Sequence, residues 1–258
     1  MSLVEFEQTA DVGHIILNRP EAGNSVNPAL IDDLGKAVDA ACAAPVRSIL
    51  IEARGANFSL GGDVRHLAVV GDGVAAELHD MATRFHVAQL RLCQLPVPII
   101  AAVRGNVIGG GFGLALSTDF LICSDTARFA TGYSRLGLSA DAGVSYFLTR
   151  AVGARRATAL LIDARFVPAD EAIAIGIADR QVPDADLDEA AESWATELAA
   201  GPTSAFAAIK RLTGEARTSS LAPQLDRETT EITALAGRKD VIAAISAIAA
   251  REKPVFEG

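Results

Sequence analysis

No apolar run in this chain approaches the roughly 20 residues that a membrane-spanning helix requires, and Met1-Ser2-Leu3-Val4-Glu5 places no basic segment before an apolar one. A membrane span is therefore excluded on pattern, no secretory leader is legible, and a cytoplasmic protein is the expectation. The net charge of −9 comes without any clustered basic footprint, which argues against a nucleic-acid surface. Cysteine is scarce. Cys42, Cys93 and Cys123 are odd in number, far apart and set in apolar segments, a pattern that suits buried reduced thiols better than a disulfide framework or a zinc site.

Several catalytic signatures are missing as well. Gly143-Val144-Ser145-Tyr146-Phe147 lacks the second glycine of a hydrolase elbow, and no glycine loop ends in Gly-Lys-Ser or Gly-Lys-Thr. Gly109-Gly110-Gly111 fails the dinucleotide spacing, which removes the signal for nicotinamide oxidoreduction. His79 and His86 lie two helical turns apart, with no Asp or Cys completing a ligand pattern, so no metal is assigned.

What remains is a chain of 258 residues, half of them hydrophobic, with enough apolar material for one large domain or one domain plus a small appendage. Two glycine-bearing loops stand in order on it: Phe58-Ser59-Leu60-Gly61-Gly62-Asp63 and Gly109-Gly110-Gly111-Phe112-Gly113. Each joins an apolar strand-like run to a helix start, where backbone N–H groups lack intrahelical partners and the helix dipole favours negative charge. Two such amides can hold one oxyanion. Taken singly, either cluster reads better as a tight turn. Arg19, Arg54, Arg65 and Arg104 sit near these loops as cations for an anionic small ligand, or as ordinary surface arginines.

The pattern predicts a hairpin from 3–8 and 14–18, then a helix capped by Asn27 with Pro28 at its first position, ending near Ala43. Residues 48–53 read as a buried strand. Val74, Leu78, Met81, Ala82, Phe85 and Leu92 recur at helical spacing and predict a long amphipathic helix over 74–93, followed by a strand at 98–103. The Gly109 loop opens the next helix. Strands follow at 120–123 and 127–130, with helices from about Asp141, Ala154 and Pro168. Repeated strand, glycine turn and helix indicate an α/β architecture with parallel pairing. From Gly201-Pro202 onward the pattern is helical throughout. The expected organisation is a core over 1–200 and a helical oligomerisation region over 201–258.

As an ensemble these segments resemble the crotonase, or enoyl-CoA hydratase/isomerase, superfamily, especially its aspartate-bearing isomerase-like members. The resemblance rests on Asn18-Arg19-Pro20-Glu21 with Asn24 and Asn27, on both glycine loops, and on Ala102-Val103-Arg104-Gly105. It continues through Ser124-Asp125-Thr126-Ala127-Arg128-Phe129, Leu136-Gly137-Leu138, Val152-Gly153-Ala154-Arg155-Arg156-Ala157, Ala172 to Gly176, and Lys253-Pro254-Val255-Phe256. It implies a spiral of ββα turns with a C-terminal helical trimerisation region, assembled as a homotrimer or a hexamer of two trimers. It implies an acyl-CoA thioester as substrate, with coenzyme A carried by the substrate and no permanently bound cofactor.

Carried over by position, the backbone amides of Leu60 and Gly110 form the oxyanion hole, and Ala22, Asn24, Ser59, Gly61, Gly62, Asp63, Val64, Gly109 and Gly113 line the substrate. The two glutamates of family hydratases are absent, because Gly113 and Tyr133 stand at their positions. Asp141 matches the aspartate of the family's double-bond isomerases and aromatic dehalogenases, and one carboxylate suffices to take a proton from one carbon and return it to another. Leu136, Leu138, Ala140 and Ala142 suit apolar walls around it. The residue pattern alone favours Asp141 as a helix N-cap, and only the resemblance tips it toward catalysis. His86 and Tyr133 are auxiliary candidates, matching the histidine and tryptophan beside the dehalogenase nucleophile. The implied reaction is a double-bond shift on an acyl-CoA. Its alternatives are hydration by a rearranged site, dehalogenase- or hydrolase-like attack, and non-catalytic acyl-CoA binding.

Overall fold

The computed structural model describes residues 2–257. The chain opens with β1 (Val4–Thr9) and β2 (Val12–Leu17), an antiparallel pair joined by a turn tighter than the sequence suggests. Asn27 then caps α1 (Pro28–Ala43), its side chain accepting the Leu30 N–H at 2.9 Å, with Pro28 at the first helical position as expected. The chain continues through β3 (Ser48–Ala53), α2 (Val64–Val70), α3 (Val74–Cys93), β4 (Ile99–Val103), β5 (Asn106–Ile108) and α4 (Gly109–Leu116). After β6 (Phe120–Ser124) and β7 (Arg128–Ala130) come α5 (Val144–Val152), α6 (Ala154–Asp163), β8 (Val167–Pro168), α7 (Ala169–Ile175) and β9 (Arg180–Val182). Four helices close the chain: α8 (Leu187–Ala199), α9 (Thr203–Ala216), α10 (Leu221–Ala236) and α11 (Lys239–Ala249).

The strands form a six-stranded sheet in the order β1-β2-β3-β4-β6-β9 and a small sheet in the order β5-β7-β8. From β2 to β9 the large sheet is parallel, as the alternation of strand and helix predicts. Strands of the two sheets alternate along the chain, β4 then β5 and β6 then β7, and the backbone winds from one sheet to the other. Pairing is in register, so side chains alternate between two covered faces. Ile49, Ile51, Ile99 and Ala101 share a core with α1 and α3, whereas Leu50, Ile100, Ala102 and Ile122 pack on Leu187, Ala191, Trp194 and Ala195 of α8. A sheet covered on both faces explains why these strands read as unbroken apolar runs.

The sequence pattern did not reveal α2, α8, β5, β8 or β9. The strands among these are two or three residues long and the first helix only seven, too short for periodicity to register. The helix expected from about Asp141 begins instead at Val144, behind Gly143. Of the three cysteines read as packing, Cys123 is buried and Cys93 half-buried, but Cys42 is exposed on the outer face of α1. Past Gly201 the chain is helical, and α9 is tied to the core where Lys210 Nζ meets Asp119 at 2.6 Å and donates to the Val97 carbonyl. Among the described residues no helix is long and apolar enough to cross a membrane.

Candidate active site

Both glycine loops arrive at one place because they cross. Val107 of β5 bridges Ser59, and Gly111 lies so close to the first loop that a Cβ there would stand 2.3 Å from the Ser59 Cβ. Ser59 is fully buried, donating to the Asn24 carbonyl at 2.8 Å and accepting the Gly61 N–H at 3.2 Å. Asn24 is equally buried, with its side chain accepting the Arg19 N–H and donating to the Arg54 and Asn57 carbonyls. Neither residue lines either of the two cavities beside these loops, so their expected substrate contact is corrected: they brace the loop.

The amide geometry also revises the sequence assignment. The Leu60 N–H is engaged by the Gly23 carbonyl at 2.9 Å and is not available to a ligand. The bridge between Val26 and Gly62 uses the Val26 N–H on the Gly61 carbonyl and the Asp63 N–H on the Val26 carbonyl. It leaves the Gly62 N–H without an acceptor among the described residues. Gly110 is the second residue of α4, so its N–H has no intrahelical acceptor. Gly62 and Gly110 both line the same cavity and supply the pair of free amides. Leu60 contributes only its side chain, which packs over Gly23.

That cavity has a volume of about 570 Å³ and mostly apolar walls. Met81, Ala82 and Phe85 of α3 face Leu136, Leu138 and Ala142 across it, while Gly61, Val64 and Gly109 border the free amides. Asp141 is the only Asp or Glu among its described lining residues. A second cavity of about 770 Å³ shares Leu60, Gly62 and Val64 with the first and adds Arg19, Ala22, Asp63, Arg65 and His66. Asp63 is spent within the protein: its carboxylate caps α2 on the Arg65 and His66 N–H groups and pairs with Arg19 at 2.7 Å. Arg54 is held by Glu5, and Arg104 by Asp184 and Asp188. Of the four arginines singled out by sequence, only Arg65 lines a cavity without a carboxylate partner among the described residues.

Asp141 is not a helix cap. Tyr133 Oη donates to Asp141 Oδ1 at 2.6 Å, and Oδ2 has no hydrogen-bond partner among the described residues. Burial first, then the neighbouring Asp141 charge, holds the Tyr133 phenol far above its ordinary value, so this hydroxyl stays protonated and acts as a donor. Ala142, next in the chain, is 2% exposed and has φ of 48°, a left-handed conformation that costs a residue with a Cβ about 1–2 kcal/mol.

Two expected residues stand behind the site. His86 does not line the cavity, and its Nε2 accepts the Ala142 N–H at 3.1 Å. Gly113 is buried in α4, and a Cβ built there would lie 2.2 Å from the Ala142 carbonyl oxygen. No side chain fits at Gly113 while residue 142 keeps its place, and Gly113 is not among the residues that line the cavity, against the expected substrate contact. Gln89 was missed altogether. It is buried on α3 and its Nε2 donates to both the Gly113 and Ala142 carbonyls at 3.0 Å. A polar residue on an otherwise apolar helical face was its only signal.

The enoyl-CoA hydratase/isomerase family model matches residues 7–258. A relative from Rhodobacter capsulatus named a probable enoyl-CoA hydratase is 31% identical over 99% of this chain and 98% of its own length. The 1,2-epoxyphenylacetyl-CoA isomerase of Escherichia coli K12 is 34% identical over 95% of this chain and 94% of its own. A crystal structure from Mycobacterium abscessus, named for the enoyl-CoA hydratase/isomerase group, superposes with a TM-score of 0.95 at 32% identity, covering 99% of both chains.

Proposed function

The chain belongs to the enoyl-CoA hydratase/isomerase family and has its crotonase fold, and from that premise we propose that it shifts a carbon–carbon double bond in an acyl-CoA thioester. The coenzyme A arm lies in the second cavity, near Arg65 and Ala22, and the acyl group enters the apolar first cavity. The thioester oxygen is received by the Gly62 and Gly110 N–H groups. Donors placed where negative charge develops lower the barrier to enolate formation, and one such donor is commonly worth about 100- to 1,000-fold in turnover.

The Asp141 carboxylate takes a proton from C2 of a 3-enoyl thioester. The C2–H electron pair forms C1=C2 of a dienolate whose negative charge rests on the thioester oxygen. Protonated Asp141 then returns the proton to C4, and the double bond emerges between C2 and C3. The observation that carries this reading is that Asp141 is the only carboxylate among the described residues lining the cavity. Hydration in this family calls for two acidic groups, and here Tyr133 occupies one position while Ala142 fills the space at the other. The relatives' names include both hydratase and isomerase, so the choice rests on the site.

The test is ultraviolet detection of the conjugated enoyl-thioester band. Gain of the band from 3-hexenoyl-CoA, abolished in Asp141→Asn with acyl-CoA affinity retained, is the expected result. Loss of the band from a 2-enoyl-CoA with formation of a hydroxyacyl product would replace isomerisation by hydration. Full activity in Asp141→Asn would remove Asp141 from the mechanism.

A further inference from the structure

The segment that carries Asp141 is held from behind by two side chains of α3. Ala142 keeps a left-handed backbone without being glycine, so something outside the residue must hold it there. His86 Nε2 accepts its N–H at 3.1 Å, and Gln89 Nε2 donates to its carbonyl at 3.0 Å. His86 and Gln89 are three residues apart and therefore project from the same face of α3. An imidazole nitrogen that accepts an N–H carries no proton itself, so the His86 proton sits on Nδ1. The Gln89 amide is oriented by its two carbonyl partners, which require a donor.

Gln89 does more than hold Ala142. The same Nε2 donates to the Gly113 carbonyl of α4 at 3.0 Å. The helix whose first turn presents the Gly110 N–H is thereby tied to the segment that presents the Asp141 carboxylate. Both halves of the proposed chemistry hang on one buried side chain.

We propose that His86 and Gln89 are positioning residues that fix the Asp141 carboxylate relative to the Gly110 amide, without touching the substrate. The inference rests on Asp141 as the proton-transfer group. His86 is then a brace and not a base, since its Nε2 is committed to the Ala142 N–H and its ring does not line the cavity that holds Asp141.

The experiment compares wild type, His86→Leu, His86→Gln and Gln89→Met, each first shown to be folded by circular dichroism. Three quantities are read: kcat and KM with 3-hexenoyl-CoA, exchange of the α-protons of hexanoyl-CoA into deuterated water, and hydrogen exchange of the Ala142 amide. His86→Leu and Gln89→Met are expected to lower kcat and α-proton exchange by about 100-fold, the scale of a misplacement near 1 Å, with KM little changed. His86→Gln places an acceptor where Nε2 stands and recovers most of that loss. Ala142 exchanges faster in His86→Leu and is slow again in His86→Gln. Wild-type kcat in His86→Leu, a loss confined to KM, or no rescue by His86→Gln would overturn the proposal. If wild type moves no α-proton at all, the reading of Asp141 fails, and the brace is judged on Ala142 exchange alone: acceleration in His86→Leu supports it and an unchanged rate overturns it.

Discussion

Tyr133 Oη lies 2.6 Å from Asp141 Oδ1 and donates to it, so one carboxylate oxygen is held by the protein while the other has no hydrogen-bond partner among the described residues. Because burial and the Asp141 charge keep this phenol protonated, it cannot act as a base at any ordinary pH. Its part is to hold the carboxylate plane. Tyr133→Phe is expected to lower kcat about tenfold, the scale of one hydrogen bond to a charged group at about 1.5 kcal/mol. Steady-state kinetics on an isomerisable enoyl-CoA check this, and an unchanged kcat would make the hydroxyl incidental.

Gly113→Glu places a glutamate where hydratases of the family have one, yet it is not expected to create a hydratase. The new Cβ would meet the Ala142 carbonyl oxygen at 2.2 Å, so the substitution forces the backbone apart before any carboxylate reaches the cavity. Overpacking of this kind costs about 1–3 kcal/mol or more, and the variant should melt earlier, show none of the activity proposed on a 3-enoyl-CoA and consume no 2-enoyl-CoA. A stable variant that hydrates a 2-enoyl-CoA would refute this account of the site.

The Gly62 amide can be tested by substitution. Gly62→Ala keeps its N–H and finds open space for the methyl group, so kcat should change little. Gly62→Pro removes the N–H and is expected to reduce kcat by about 100- to 1,000-fold, with circular dichroism used to verify that the loop still folds. Equal activity of the two variants would return the search for the second donor to its beginning.

His14 provides a pH test of stability remote from the cavities. Its Nδ1 lies 3.2 Å from Glu52, and its Nε2 lies 3.6 Å from Glu192. The hydrogen bond to Glu52 raises its pKa above the ordinary 6.5, burial opposes the rise, and the charges of Glu52, Glu192 and Glu7 add to it. A value raised in the folded state means a stabilising contribution that is fully present below 6.5 and fades as pH climbs through the folded value. In urea melts, the stability gap between wild type and His14→Gln should therefore be wide at mildly acid pH and narrow at mildly alkaline pH. A gap that is constant across that range would contradict the assignment.

The last helices leave apolar side chains uncovered. Leu221, Leu225 and Ile232 on α10 and Ile242, Ile245 and Ile248 on α11 are each at least half exposed. A surface of this kind is expected to be buried between copies of the chain, as a trimer or a pair of trimers. Light scattering should report three or six times 26.8 kDa, and Ile245→Glu should shift the population toward smaller species. A monomer mass for the wild type would end this reading.

The sequence by itself determined the long elements and their kind. An asparagine cap before Pro28 and six apolar residues at helical spacing specify α1 and α3, and apolar runs specify the inner strands, because these signals are local and repeat along the chain. That the two glycine loops would meet an aspartate near one site came from the family resemblance, since the residue pattern alone favours Asp141 as a cap. The tertiary structure decided which groups are free there. The Leu60 amide is consumed by a carbonyl 37 residues earlier in the chain, Gly62 keeps its N–H, and the His86 Nε2 is taken up by the Ala142 N–H. Availability of a backbone amide, and the space around Gly113, depend on what distant segments place beside them. Residue type cannot encode that; only the crossing of the two loops against α3 settles it.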